Sequence, residues 1–80
     1  MAFVHKISKD EDREIRSLHP TRLECRYIAS ESNGMKILQL NSYGSDDRDV
    51  PGKLSQTLQF DENSAQELFQ VLKAEFGFEG

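Results

Sequence analysis

The chain has 80 residues, of which 36% are apolar and 30% charged, with a formal net charge of −4. That length predicts one domain spanning residues 1–80, and a fold this small buries only about 60–65% of its unfolded surface, so its core is thin. No apolar run nears the ~18 residues of a membrane span. Residues 1–6 hold no long apolar stretch, which predicts no signal peptide, and the single cysteine, Cys25, excludes an internal disulfide. These features predict a soluble, cytoplasmic protein. The negative charge taken alone disfavours nucleic acid, whose phosphates need local positive charge, so the placement of the charges decides more than their sum.

Three stretches follow in chain order. Residues 1–20 read as an N-terminal strand or irregular segment, 21–60 as a β-meander, and 61–76 as a helix. Phe3 to Ser8 alternates weakly and suits a short strand. Asp10 to Arg16 is very polar, with Ile15 and Leu18 as its only anchors, and reads as a short helical turn or loop. Pro20 ends any helix there and biases His19 towards an extended shape.

Thr21 to Ala29 reads as a strand with Leu23, Cys25, Tyr27 and Ala29 facing inwards and Arg22, Glu24, Arg26 and Ile28 facing out. Asn33-Gly34 is a hairpin turn signal, since both residues tolerate positive φ. Met35 to Tyr43 is the next strand, with Leu38 and Leu40 inside. Pro51-Gly52 suits a type II turn in the loop from Gly44 to Lys53. Leu54 to Phe60 alternates cleanly and forms the last strand, with Leu54, Gln56, Leu58 and Phe60 on one face.

Asp61 reads as a helix N-cap, with Phe60 and Ala65 at the two hydrophobic positions that brace it and Glu62 in the first turn. Ala65, Leu68, Phe69, Leu72 and Phe76 fall at helical spacing, and Gly77 is a natural stop. Val71, Phe76 and Phe78 widen the apolar stripe; they either fill the core or, as surplus apolar surface, invite self-association through helix 62–76 as a homodimer. The expected fold class is therefore α+β: an antiparallel three- to four-stranded β-meander followed by one C-terminal amphipathic helix.

With the helix on the apolar face, the other face of the sheet shows Arg22, Arg26, Gln39, Asn41, Tyr43, Lys53, Ser55, Thr57 and Gln59, with Glu24 its only acid. The remaining carboxylates gather in residues 10–14, in residues 46–49 and on the helix. Amides, hydroxyls, arginine and an aromatic ring can bond phosphates and base edges or stack on bases, although a solvated polar face is also the ordinary dress of an antiparallel sheet.

No phosphate-binding glycine loop is present. One cysteine and two histidines, His5 and His19, give no zinc-ligand spacing, and Asp46, Asp47 and Asp49 lack the ligand pattern of a calcium loop. Cys25 on the inward face is expected to be an inert core thiol. No nucleophile with its base and no paired carboxylates emerge, so the expectation is a non-enzymatic protein without cofactor or metal.

The order strand, tight turn, strand ending in an aromatic, loop, strand and acid-capped helix runs from Arg26 to Phe76. It includes Lys36-Ile37-Leu38-Gln39-Leu40-Asn41-Ser42-Tyr43, Pro51-Gly52-Lys53 and Leu58-Gln59-Phe60-Asp61. In this layout the chain resembles the positive cofactor four family of single-stranded-DNA-binding coactivators. The resemblance implies a curved antiparallel sheet plus helix, dimerisation through the helix region, and single strands held on the sheet by basic and aromatic side chains. Where that family often has Arg-Glu before the aromatic of its second strand, this chain has Asn41-Ser42. The segment Tyr43-Gly44-Ser45-Asp46-Asp47-Arg48 is also similar to a short, uncharacterised bacterial protein family.

The expected function is a small binding module for single-stranded nucleic acid. Arg22, Arg26 and Lys53 would meet phosphate, Tyr43 would stack, and Gln39, Asn41 and Gln59 would hydrogen-bond. The alternative is a protein-interaction or oligomerisation module with no nucleic-acid affinity, suggested by the net acidity and the wide helix stripe.

Overall fold

A computed structural model of the chain describes residues 1–44 and 54–80. It holds four strands and one helix: β1 (Ala2–Val4), β2 (Glu24–Ser32), β3 (Met35–Tyr43), β4 (Leu54–Phe60) and α1 (Glu62–Phe76). The fold is α+β, but the sheet is not a pure meander. Its order is β1-β4-β3-β2, and β1 lies parallel to β4 while the other pairs are antiparallel.

Local chemistry accounts for most of these elements. Asn33 and Gly34 both take positive φ (51° and 81°), so the β2–β3 hairpin closes through the two-residue turn that matches strand twist. That turn fixes the register from Ser32↔Met35 through to Glu24↔Tyr43, without interruption. β2 starts at Glu24, three residues later than the alternation suggests, and extends to Ser32 because the tight turn carries the ladder to its end. In β3–β4 the register shifts between Ser42 and Tyr43, and Leu54, rather than Ser55, comes opposite Tyr43. The Pro51-Gly52 turn and the acidic loop lie outside the described residues.

α1 begins as its sequence dictates. Asp61 accepts a hydrogen bond from Ser64 N at 2.9 Å, and Ser64 Oγ accepts one from Asp61 N at 3.1 Å, a reciprocal capping box. Gly77 ends the helix in the left-handed conformation at φ 71°, its N–H donating to the Lys73 carbonyl. The first turns of α1 sit on the Leu38–Phe60 corner of the sheet, where Ala65 and Gln66 share a cleft with those two side chains.

The core is small. Phe60, 5% exposed, is the one buried apolar side chain among the described residues. Its burial contributes about 1.5–3 kcal/mol. α1 packs on β3 and β4 and leaves β2 uncovered. Cys25, expected inside, is exposed, as are Tyr27 (72%) on the same strand and Leu23 just before it. The correction has a simple cause: side-chain alternation assigns a face, but only a packed neighbour buries it. Along α1, Leu68 is half-buried, whereas Phe69, Leu72 and Phe76 are exposed and Phe76 stacks on Phe78 at 5.4 Å between ring centroids.

Between β1 and β2, residues 5–23 recross the sheet, because two parallel strands require a long return connection. Ile7 N donates to Glu67 Oε1 at 3.3 Å, which holds the start of this return beside α1. Beyond it, Ile15 and Leu18 are almost fully exposed. Asp10 to Arg16 contains a turn with Asp12 at φ 59° rather than a helix.

Candidate functional site

The register sorts the side chains of the sheet face opposite α1 into rows. Ile28, Gln39, Gln59 and Phe3 lie side by side across all four strands. Arg26, Asn41 and Thr57 form the next row, and Glu24 and Tyr43 the row beyond. Five of the seven candidate residues, Arg26, Gln39, Asn41, Tyr43 and Gln59, therefore share one face. Arg22 precedes β2 and stands outside the paired rows, and Lys53 lies outside the described residues.

The middle of this face is a hydrogen-bonded ladder. Gln59 Nε2 donates to Gln39 Oε1 at 2.9 Å, Gln39 Nε2 donates to Asn41 Oδ1 at 3.0 Å, and Thr57 Oγ1 donates to the same Asn41 oxygen at 2.9 Å. Cross-strand pairing places these short polar side chains within reach of one another. Asn41 is only 6% exposed, so its carbonyl needs those donors. Two of the three amide carbonyls are thus consumed inside the ladder. Among the described residues, the groups left over are mainly N–H, on Asn41 Nδ2 and the second hydrogens of Gln39 and Gln59, with one carbonyl, Gln59 Oε1.

Arg26 is not the free cation that a phosphate contact requires. Its Nε donates to Glu24 Oε2 at 2.6 Å, and its guanidinium carbon stands 4.8 Å from the Tyr43 ring centroid. The hydrogen bond to Glu24, and then the carboxylate's charge, hold the Arg26 pKa above its ordinary value. The pair lies in solvent, so the attraction is screened. Its consequence is geometric: the guanidinium is held over the Tyr43 ring beside a carboxylate.

The far end of the face is mixed: Phe3, Ile28, Met35 and Ile37, together with Ser30, Ser32, Asn33, Gln39 and Gln59, line a groove of about 260 Å³. Phe3 brings a second aromatic ring to the face, opposite the Tyr43 end. Sequence reasoning missed it, because its place depends on the parallel pairing Phe3↔Gln59, which no local pattern encodes. The weak alternation of residues 3–8 was the only signal. Among the described residues no cluster of three His, Cys, Asp or Glu could hold a metal ion. No helix among them is long and apolar enough to cross a membrane.

No protein-family model, no curated protein and no solved structure matches the chain.

Proposed function

We propose that the protein is a small, non-enzymatic binding module whose sheet face opposite α1 takes single-stranded nucleic acid. The observation that carries this reading is the donor-rich ladder of Gln39, Asn41 and Gln59 flanked by two aromatic rings, Phe3 and Tyr43. Stacking on a ring tolerates any base, and amide N–H groups bond base carbonyls, ring nitrogens and phosphate oxygens alike. The only cation placed on the face, among the described residues, is paired with Glu24. Stacking and amide contacts therefore lead, and the electrostatic share is small. Fluorescence anisotropy with labelled single strands at low salt tests this. Binding with a shallow salt dependence is expected, and no binding at tens of micromolar protein ends the reading, because non-specific affinities lie around 10⁻⁴–10⁻⁶ M.

A second reading, an oligomerisation module, rests on a separate observation. Among the described residues, Tyr27 on β2, Phe69, Val71, Leu72 and Phe76 on α1, and Phe78 beyond it stand exposed, and clustered apolar surface of this kind marks an interface. Phe3, Ile28 and Met35 stand exposed on the opposite face of the sheet. Light scattering coupled to size exclusion reads the mass directly, and a 9.2 kDa particle at high micromolar concentration removes this reading.

A further inference from the structure

The two edges of the sheet are unlike. One is β1, three residues long. The other is β2, nine residues long, paired on one side only and exposed at every position. A strand edge of this kind is a row of free N–H and C=O groups, which folded chains usually blunt with proline, lysine, a bulge or a covering segment. β2 has no proline or lysine, and its ladder with β3 runs without a bulge. Among the described residues no covering segment is in place either. Outside the helix and strands, the backbone-to-backbone bonds among the described residues are Ala65 to Asp61 and Gly77 to Lys73, neither of which reaches β2.

We propose that this edge is the seam of a homodimer, in which β2 pairs antiparallel with β2 of a second copy about a two-fold axis at Ile28. The proposal rests on the oligomerisation reading and names its surface. Same-face pairing about a two-fold requires one residue to oppose itself. With Ile28 in that place the whole strand overlaps its copy: Glu24 meets Ser32, Cys25 meets Glu31, Arg26 meets Ser30 and Tyr27 meets Ala29. No like charges stand opposite each other, and an isoleucine pair, favourable across strands, sits on the axis. An axis at Arg26 sets guanidinium against guanidinium, and an axis at Tyr27 shortens the ladder. On the α1 side, Tyr27 and Ala29 of the two copies form one apolar strip continuous with Leu40 of each β3, which lies beside Tyr27 in the sheet.

The resulting eight-stranded sheet carries two amide ladders on one face. A bound single strand therefore finds a surface twice as long, with Arg26 of each copy flanking the axis. The seam does not depend on nucleic acid.

Cysteine cross-linking tests the register. Residues opposed in an antiparallel pair have Cα atoms about 4.5–5.5 Å apart, within disulfide range. Ser30 and its copy would lie four residues apart along the strand, about 13–14 Å. In a Cys25→Ser background, Ile28→Cys should therefore link into a dimer under mild oxidation, and Ser30→Cys should not. Ile28→Lys, a change at a half-exposed position, should leave the circular dichroism unchanged and halve the mass in solution. A chain that is monomeric throughout overturns the seam together with the oligomerisation reading. A dimer in which Ile28→Cys fails to link, or Ser30→Cys links equally well, overturns the seam alone.

Discussion

The Arg26 guanidinium lies over the Tyr43 ring at 4.8 Å while its Nε is held by Glu24 at 2.6 Å. One acid thus both positions the cation and competes with any phosphate for it. Glu24→Gln should keep the stacking and release the charge. Anisotropy titrations over a salt series should then show tighter binding of single strands, with a log–log slope steeper by about 0.7 for one added phosphate contact. Arg26→Ala should change affinity little in the native background, because its charge is already answered.

The two rings should matter more than the charges. Phe3→Ala and Tyr43→Ala should each weaken single-strand binding by about 1–3 kcal/mol, the worth of one base stacked on an aromatic side chain. Phe3→Leu separates stacking from packing: it keeps an apolar group beside Gln59 and should bind as poorly as Phe3→Ala while melting like the native chain. Equal binding by Phe3→Leu and the native protein would remove Phe3 from the site.

Asn41 has a structural burden beyond any ligand. Asn41→Ala strips the acceptor from Thr57 Oγ1 and Gln39 Nε2 at a nearly buried position. Urea unfolding should show a loss of about 1–3 kcal/mol, the cost of leaving such groups unsatisfied. Gln59→Ala, at the rim of the ladder, should cost less.

The helix start gives a pH signature. Hydrogen bonds from Ser64, its backbone N–H first, hold the Asp61 carboxyl below its ordinary 3.8. Folded Asp61 resists protonation more than the unfolded chain does, so its stabilising effect is present above about pH 4 and is lost as pH falls through the folded value. Thermal melts across the acid range should show this loss in the native protein. Asp61→Asn, which can still cap but cannot titrate, should flatten that part of the profile.

Phe60 concentrates the core in one side chain. Phe60→Ala should cost about 3–5 kcal/mol. A domain of this length holds roughly 0.05–0.15 kcal/mol per residue in total, so the variant should be largely unfolded by circular dichroism at room temperature.

Elements set by neighbours in sequence were legible. Met35–Tyr43, Leu54–Phe60 and the helix at 62–76 follow from alternation, the Asn33-Gly34 turn, the Asp61 cap and the Gly77 stop. What depends on distant partners was not. The parallel pairing of Phe3 with Gln59 leaves no periodic mark, so the sheet order and the second aromatic of the face escaped notice. Cys25 and Tyr27 have the alternation of a core strand, but α1 packs on β3 and β4 and leaves them bare. The Glu24–Arg26 pair was visible as two residues of one face; that the acid captures the cation needed side-chain geometry.

The pairing of β1 with β4 also sets an order of events. Position 2 finds its partner at position 58, whereas β2 and β3 meet across a two-residue turn. Loop closure favours near contacts first. The hairpin of β2 and β3 is expected to gain β4 and the capped helix next, and β1 to dock last. On the ribosome β1 emerges before its partner β4 and has to wait for it. In that sense β1 is a clasp, fastened only once β4 has been made.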